Sequence, residues 1–136
     1  MKEIDLFRIA EKNNITIDNF PLGESESCSV EMDGGQYIAI DPHFELLSDR
    51  KVHLAHELGH CMRNAFYTEH TARDLRGKYE RQADEWAIRK LVPFRALKKA
   101  IRHGSTEPWQ IADVFNVTPE FAYKAMLFWR TKECCL

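Results

Sequence analysis

Apolar positions along the chain recur at two different spacings, and the change between them divides it. Ile4, Leu6, Phe7, Ile9 and Ala10 sit among charges over residues 2 to 13 and suit an amphipathic helix. "NFPLGESES" is loop by composition. "CSVEM", "DGG" and "QYIAID" then read as strand, tight turn and strand, because Asp-Gly and Gly-Gly supply the positive φ angles of a hairpin. "DPHF" breaks the second strand, and Ser48 or Asp49 is placed to cap a helix over residues 49 to about 65. "TEHTARDLRG" is polar and reads as loop, whereas "KYERQADEWAIRKLV", residues 78 to 92, is a strong helical pattern stopped by Pro93. A short basic helix, "FRALKKAIRH", closes at Gly104, and "STEP" caps a helix through "WQIADVF". Thr118 and Pro119 open a last helix, "EFAYKAMLFWR". The expectation is an α+β protein, a small N-terminal sheet followed by a helical half, in one domain over residues 1–136 without repeats or a linker.

Composition narrows the class. With 44% apolar and 29% charged residues in 136, the chain has the make-up of a globular domain able to bury a core. A net charge of −2 supplies no electrostatic case for nucleic acid. Cations do cluster over residues 73 to 102, where Arg73, Arg76, Lys78, Arg81, Lys98 and Arg102 stand among others, as a solvated helix surface or a face for an acidic partner. "MKEIDLFRIAEKNNITI" has no apolar h-region, so it reads as no signal peptide, and no apolar run approaches the length of a membrane span. Cys28, Cys61, Cys134 and Cys135 form no CxxC and no disulfide framework. Adjacent Cys134 and Cys135 read as free thiols of a tail, with a metal clip as the alternative. The expected setting is a reducing cytoplasm.

The chemistry lies in "HLAHELGHC", residues 53 to 61. His56, Glu57 and His60 form HExxH, in which histidines four apart on a helix reach one Zn²⁺ and the glutamate stands beside them. From there Glu57 can take a proton from a water at the metal and pass it to a leaving amine. Leu54, Ala55, Leu58, Gly59 and Met62 describe a helix buried on most of its surface, and a mid-helix glycine implies close backbone packing. Two histidines and a glutamate buried without partners would cost too much, and a metal removes that cost.

A catalytic site needs a third protein ligand. The extended motif with a histidine six residues after the second is excluded, since that position is Phe66. Glu80, Ala83, Asp84, Ala87 and Leu91 share one face of the next helix, with alanines that permit close approach to the HExxH helix. Glu80 is the expected third ligand, and Asp84 the acceptor that fixes a ligand histidine's tautomer, although the two roles could be exchanged. His53 lies on the metal face one turn early, either as a substrate contact at the cleft edge or as an ordinary surface histidine. Tyr67, Tyr79, His70 and His53 are candidates, unranked, for a further donor to the reaction, and Tyr79 is also a possible substrate contact.

With "HELGH" and "YERQADEWAIRKLVP" identified, the sequence resembles the ImmA/IrrE family of HExxH metallopeptidases. Glu80, Ala83, Asp84, Trp86, Ala87, Leu91, Val92 and Pro93 match that family's second helix, and "YIAIDPHFELLSDRKVHLAHELGH" looks like its strand, loop and catalytic helix. The likeness is strongest over about residues 30 to 95 and weaker in "IADVFNVTPEFAYKAM". His53 replaces the small or hydroxylated residue expected at its position. The resemblance implies a zincin-like fold, a zinc cofactor, cytoplasmic action and cleavage of a protein, often a phage or mobile-element repressor.

Two other classes compete. "PWQIADVFNVTPEFAYKAMLFWR" can be read as a helix-turn-helix, but its second helix offers only Lys124 and Arg130 among apolar side chains, which disfavours DNA reading. A zinc-containing module that sequesters a repressor without turnover would use the same apolar helix as its contact.

Overall fold

A computed structural model describes residues 1–23 and 25–133. Cys134 and Cys135 lie outside the described residues. The order is α1 (Glu3–Lys12), β1 (Ile15–Asn19), β2 (Ser27–Met32), β3 (Gly35–Ile40), α2 (Leu47–Met62), α3 (Arg73–Leu91), α4 (Phe94–Arg102), α5 (Pro108–Phe115) and α6 (Pro119–Glu133). Sheet then helices makes this the expected α+β architecture. Among the described residues, no helix is long and apolar enough to cross a membrane.

The hairpin forms where the turn residues require it. Asp33 and Gly34 both take positive φ (50° and 78°), and Met32 pairs with Gly35 across the turn. β1 is an addition to the expected elements. It lies parallel to β3, with Ile17 opposite Ile38, so the sheet is mixed, in the order β1-β3-β2, and β2 is an edge. Ile15, Ile38 and Ile40 are buried and meet α1 and α2. On β2, Ser27 and Ser29 pair with Ile40 and Ile38 and share that inner face.

α2 begins at Leu47 with Leu46 as its N-cap and no side-chain cap, so neither Ser48 nor Asp49 serves there. Asp49 instead lies in the first turn, where its charge complements unpaired backbone N–H groups. The helix stops at Met62, short of the expected 65. Asn64 adopts a left-handed φ of 51°, and the Ala65 N–H closes the turn on the His60 carbonyl at 2.8 Å. α3 starts at Arg73, five residues before the expected 78, and runs through Gly77. A single glycine costs a helix about 1 kcal/mol, which the packing of the rest of α3 overrides.

α2 and α3 pack more closely than any side chain other than hydrogen would allow. A Cβ on Gly59 would stand 2.5 Å from the Ala83 carbonyl oxygen and 2.8 Å from its Cα. Ala83 and Ala87 are fully buried at this contact. α6 packs on α5 and reaches the end of α3 through the Trp129 indole N–H, which donates to the Val92 carbonyl at 2.8 Å. Pro119 opens α6 and Thr118 Oγ1 accepts the Phe121 N–H at 3.2 Å, as the sequence leads one to expect.

Candidate metal centre

The close approach at Gly59 sets the site. It brings Glu80 and Asp84 of α3 over the histidines of α2, one turn apart on each helix. His56 Nε2 stands 2.8 Å from Glu80 Oε2, and His60 Nε2 stands 3.2 Å from Glu80 Oε1. The two Nε2 atoms are 3.2 Å apart. His56 Nδ1 donates to Asp84 Oδ1 at 2.8 Å, and His60 Nδ1 donates to the Ala65 carbonyl at 2.7 Å. The geometry therefore distinguishes the two carboxylates. Glu80 meets both inward nitrogens, and Asp84 holds the outward nitrogen of one ring.

Hydrogen accounting shows what this cluster can hold. A carbonyl oxygen and a carboxylate only accept, so both Nδ1 atoms carry protons and the neutral tautomers leave both Nε2 lone pairs directed inward. Two imidazole lone pairs and a carboxylate then face one another within 4.8 Å. A cation has to sit between them: either a proton on Nε2, as the raised histidine pKa values reflect, or one metal ion that takes both lone pairs. Nitrogens each about 2.0–2.1 Å from one tetrahedral zinc would stand about 3.3–3.4 Å apart, close to the separation observed. The residues fit Zn²⁺, with one position left for chemistry.

The titration behaviour has the same origin. Burial pulls the His56 pKa down, but the hydrogen bonds to Asp84 and then Glu80 outweigh it and lift it to about 10. His60 is likewise raised by Glu80 and the Ala65 carbonyl against burial. The Glu80 carboxyl is held far below the usual carboxylate range by His56 and then His60. Asp84 is lowered by His56 and Lys124 in spite of its burial, and Lys124 Nζ of α6 donates to Asp84 Oδ2 at 3.2 Å. Lys124, one of the two cations available for reading DNA, is thereby committed to the metal centre's support.

Glu57 is buried at 7% exposure beside the cluster, and Ser27 Oγ of β2 donates to its Oε2 at 2.6 Å. A cleft of about 330 Å³ opens there. Ser27 to Val30 of β2 wall it on one side, and Glu57, His60, Tyr67 and Glu80 on the other. The Tyr67 hydroxyl donates to Glu80 Oε1 at 2.6 Å, a bond that, with burial, raises its own pKa to about 12. Of the candidate donors, Tyr67 is the one on the cleft. Tyr79 is half-buried elsewhere on α3 and does not line it. His70 is almost wholly exposed. His53 is no part of the ligand cluster, but it lines a second opening of about 240 Å³ with His56, Glu80 and Asp84, and its ring nitrogens meet Ser27 and Glu26.

Three participants were not among the residues singled out from sequence. Ser27 gives no signal by type, since a strand serine is usually a surface residue. The Ala65 carbonyl is a backbone atom, foreshadowed only by Asn64, a residue suited to left-handed helix termini. Lys124 is a cation on a largely apolar helix, and nothing local to that helix links it to Asp84.

A peptidase family model, described as the IrrE N-terminal-like domain, matches residues 10–127. No curated protein matches the chain.

Proposed function

This chain belongs to the IrrE N-terminal-like peptidase family, and from that premise we propose that it is a zinc-dependent endopeptidase acting on an extended segment of a protein. The observation that carries the reading is the convergence of both histidine Nε2 atoms and the Glu80 carboxylate, with buried Glu57 alongside and a cleft in front. Zinc held by His56, His60 and Glu80 would polarise a peptide carbonyl and make a water nucleophilic near neutral pH.

The protein's own groups supply the rest. Glu57 takes a proton from the attacking water and delivers it to the leaving amine nitrogen, a transfer worth on the order of 10² to 10⁴ in rate. Asp84 and the Ala65 carbonyl keep the ligand imidazoles in the tautomer that binds metal. The Tyr67 hydroxyl is the donor nearest the ligands and is assigned to the developing oxyanion. β2 has no strand on its outer side among the described residues, and its residues wall the cleft. A substrate strand can add to that edge through backbone hydrogen bonds, which favours an unfolded or extended segment over a folded surface. The protein substrate is taken to be a regulator of the phage or mobile-element repressor kind, and the working compartment to be the cytoplasm.

The test compares zinc-loaded parent and Glu57→Gln on a proteome-derived peptide library, with new termini identified by mass spectrometry. The parent should cleave, and Glu57→Gln should keep one zinc per chain while losing at least a hundredfold in rate. A parent that binds zinc yet cleaves nothing, or a variant that cleaves at the parent's rate, refutes the assignment. The first outcome would favour sequestration of a partner without turnover.

A further inference from the structure

A glutamate next to a ligand histidine has three side-chain torsions and needs something to aim it. In this protein Ser27 reaches across from β2 and donates to Glu57 Oε2 at 2.6 Å. Ser27 Oγ is also 3.3 Å from His53 Nδ1, and His53 Nε2 is 3.0 Å from Glu26 Oε2. The His53 ring lies 4.9 Å from that of Phe44, which stacks on His43, and His43 Nδ1 meets Asp41 Oδ1 at 2.6 Å. A connected set of side chains thus runs from the buried carboxylate to the surface.

The protons can be placed. Ionised Glu57 only accepts, so the single Ser27 hydroxyl hydrogen points to it. The Ser27 lone pair is then what faces His53, and the Nδ1–H tautomer is the one that completes the contact at 3.3 Å. Both ring nitrogens have polar neighbours and about a third of the side chain is exposed, so His53 is fixed in orientation by Ser27 and Glu26.

We propose that Ser27 and His53 are positioning residues that hold one oxygen of the Glu57 carboxylate in place and leave the other for the reaction. This rests on the reading of Glu57 as the base. It accounts for the histidine that stands where a small or hydroxylated residue is otherwise expected. The imidazole on α2 completes the donation of a serine that comes from the opposite wall of the cleft.

The test uses the zinc-loaded full chain and the library peptide that the parent cleaves fastest. Ser27→Ala and His53→Ala should each lower kcat by about tenfold, with KM within about twofold and one zinc per chain retained. Ser27→Thr, which keeps a hydroxyl, should recover most of the rate. Side-chain ¹⁵N–¹H correlation spectra of the zinc-loaded parent should show a hydrogen on His53 Nδ1, with that signal lost in Ser27→Ala. Unchanged kcat, or a fall that tracks loss of zinc or of melting temperature, overturns the proposal, as does a bare His53 Nδ1. If the parent cleaves no peptide, the reading of Glu57 fails by itself, and the spectra still decide whether the Ser27–His53 contact exists.

Discussion

Gly59→Ala is the most informative small perturbation, because it adds one methyl where two helix backbones touch. The new Cβ would lie 2.5 Å from the Ala83 carbonyl oxygen, 2.8 Å from its Cα and 3.0 Å from its carbonyl carbon. All three are backbone atoms, so no rotamer change relieves the contact. Comfortable carbon contacts begin near about 3.5 Å, so α3 must retreat by roughly 1 Å. Alanine gains about 1 kcal/mol of helix propensity over glycine, while overpacking a rigid contact costs about 1–3 kcal/mol or more. The net is a destabilisation of up to about 2 kcal/mol despite the better helix former. The larger effect falls on the metal centre, since Glu80 and Asp84 ride on α3, and metal–ligand distances tolerate only about 0.2 Å. Zinc affinity should drop by at least tenfold. Urea denaturation in excess chelator gives the first quantity, and competition with a chromophoric chelator gives the second. Adding Ala83→Gly should not restore either, because the contact is with the backbone of residue 83. A Gly59→Ala protein as stable as the parent, with zinc affinity within twofold, would refute the reasoning.

The remaining predictions concern the charged groups around this contact. Zinc affinity should fall in the order Glu80→Ala, Asp84→Asn, Lys124→Met, as each side chain is one step farther from the metal. Asp84→Asn should cost about 10–100-fold, and Lys124→Met only severalfold, because Lys124 pairs with Asp84 and not with a candidate ligand. Competition titrations check the ranking, and equal losses at Asp84 and Lys124 would contradict it. Away from the site, Asp41 is held below the usual carboxylate pKa by the Leu22 N–H first and then by the His43 ring and N–H. A carboxyl whose pKa is lowered on folding contributes stability above its unfolded value of about 3.9, and that contribution is lost as pH falls through the folded value. The urea midpoint of the parent should therefore exceed that of Asp41→Asn between about pH 5 and 6, and the gap should close below about pH 4. A gap that stays constant down to pH 2 would show that the carboxylate's charge is not what matters.

What the sequence disclosed, and what it hid, follows from the distance over which each feature is made. HExxH is local: residues four apart on a helix share a face whatever the rest of the chain does. Glu80 and Asp84 were legible at longer range because the small partners accompany them, with Ala83 and Ala87 on α3 and Gly59 on α2 marking where two backbones meet. β1 was not legible. Its parallel partner is β3, with a hairpin strand between them in sequence, and no short turn announces such a pairing. The start of α3 was misplaced because Gly77 is a local stop signal, and tertiary packing overrides local signals of about 1 kcal/mol.

Ser27 carries no signal by residue type, and what marks it is its register in the sheet. Along β2 the residues that pair with buried Ile40 and Ile38 are Ser27 and Ser29, where a strand packed on a helix ordinarily carries apolar side chains. A polar inner face on an edge strand is costly unless it borders water or a polar group, and in this fold it borders both a cleft and Glu57. His53 is the matching irregularity on α2, on the metal face one turn before the ligands. Each departs from the pattern of its own element, and neither departure has a local explanation. The contact between them has one: the two elements that wall the cleft each give up a regular residue to fix the carboxylate that lies between them.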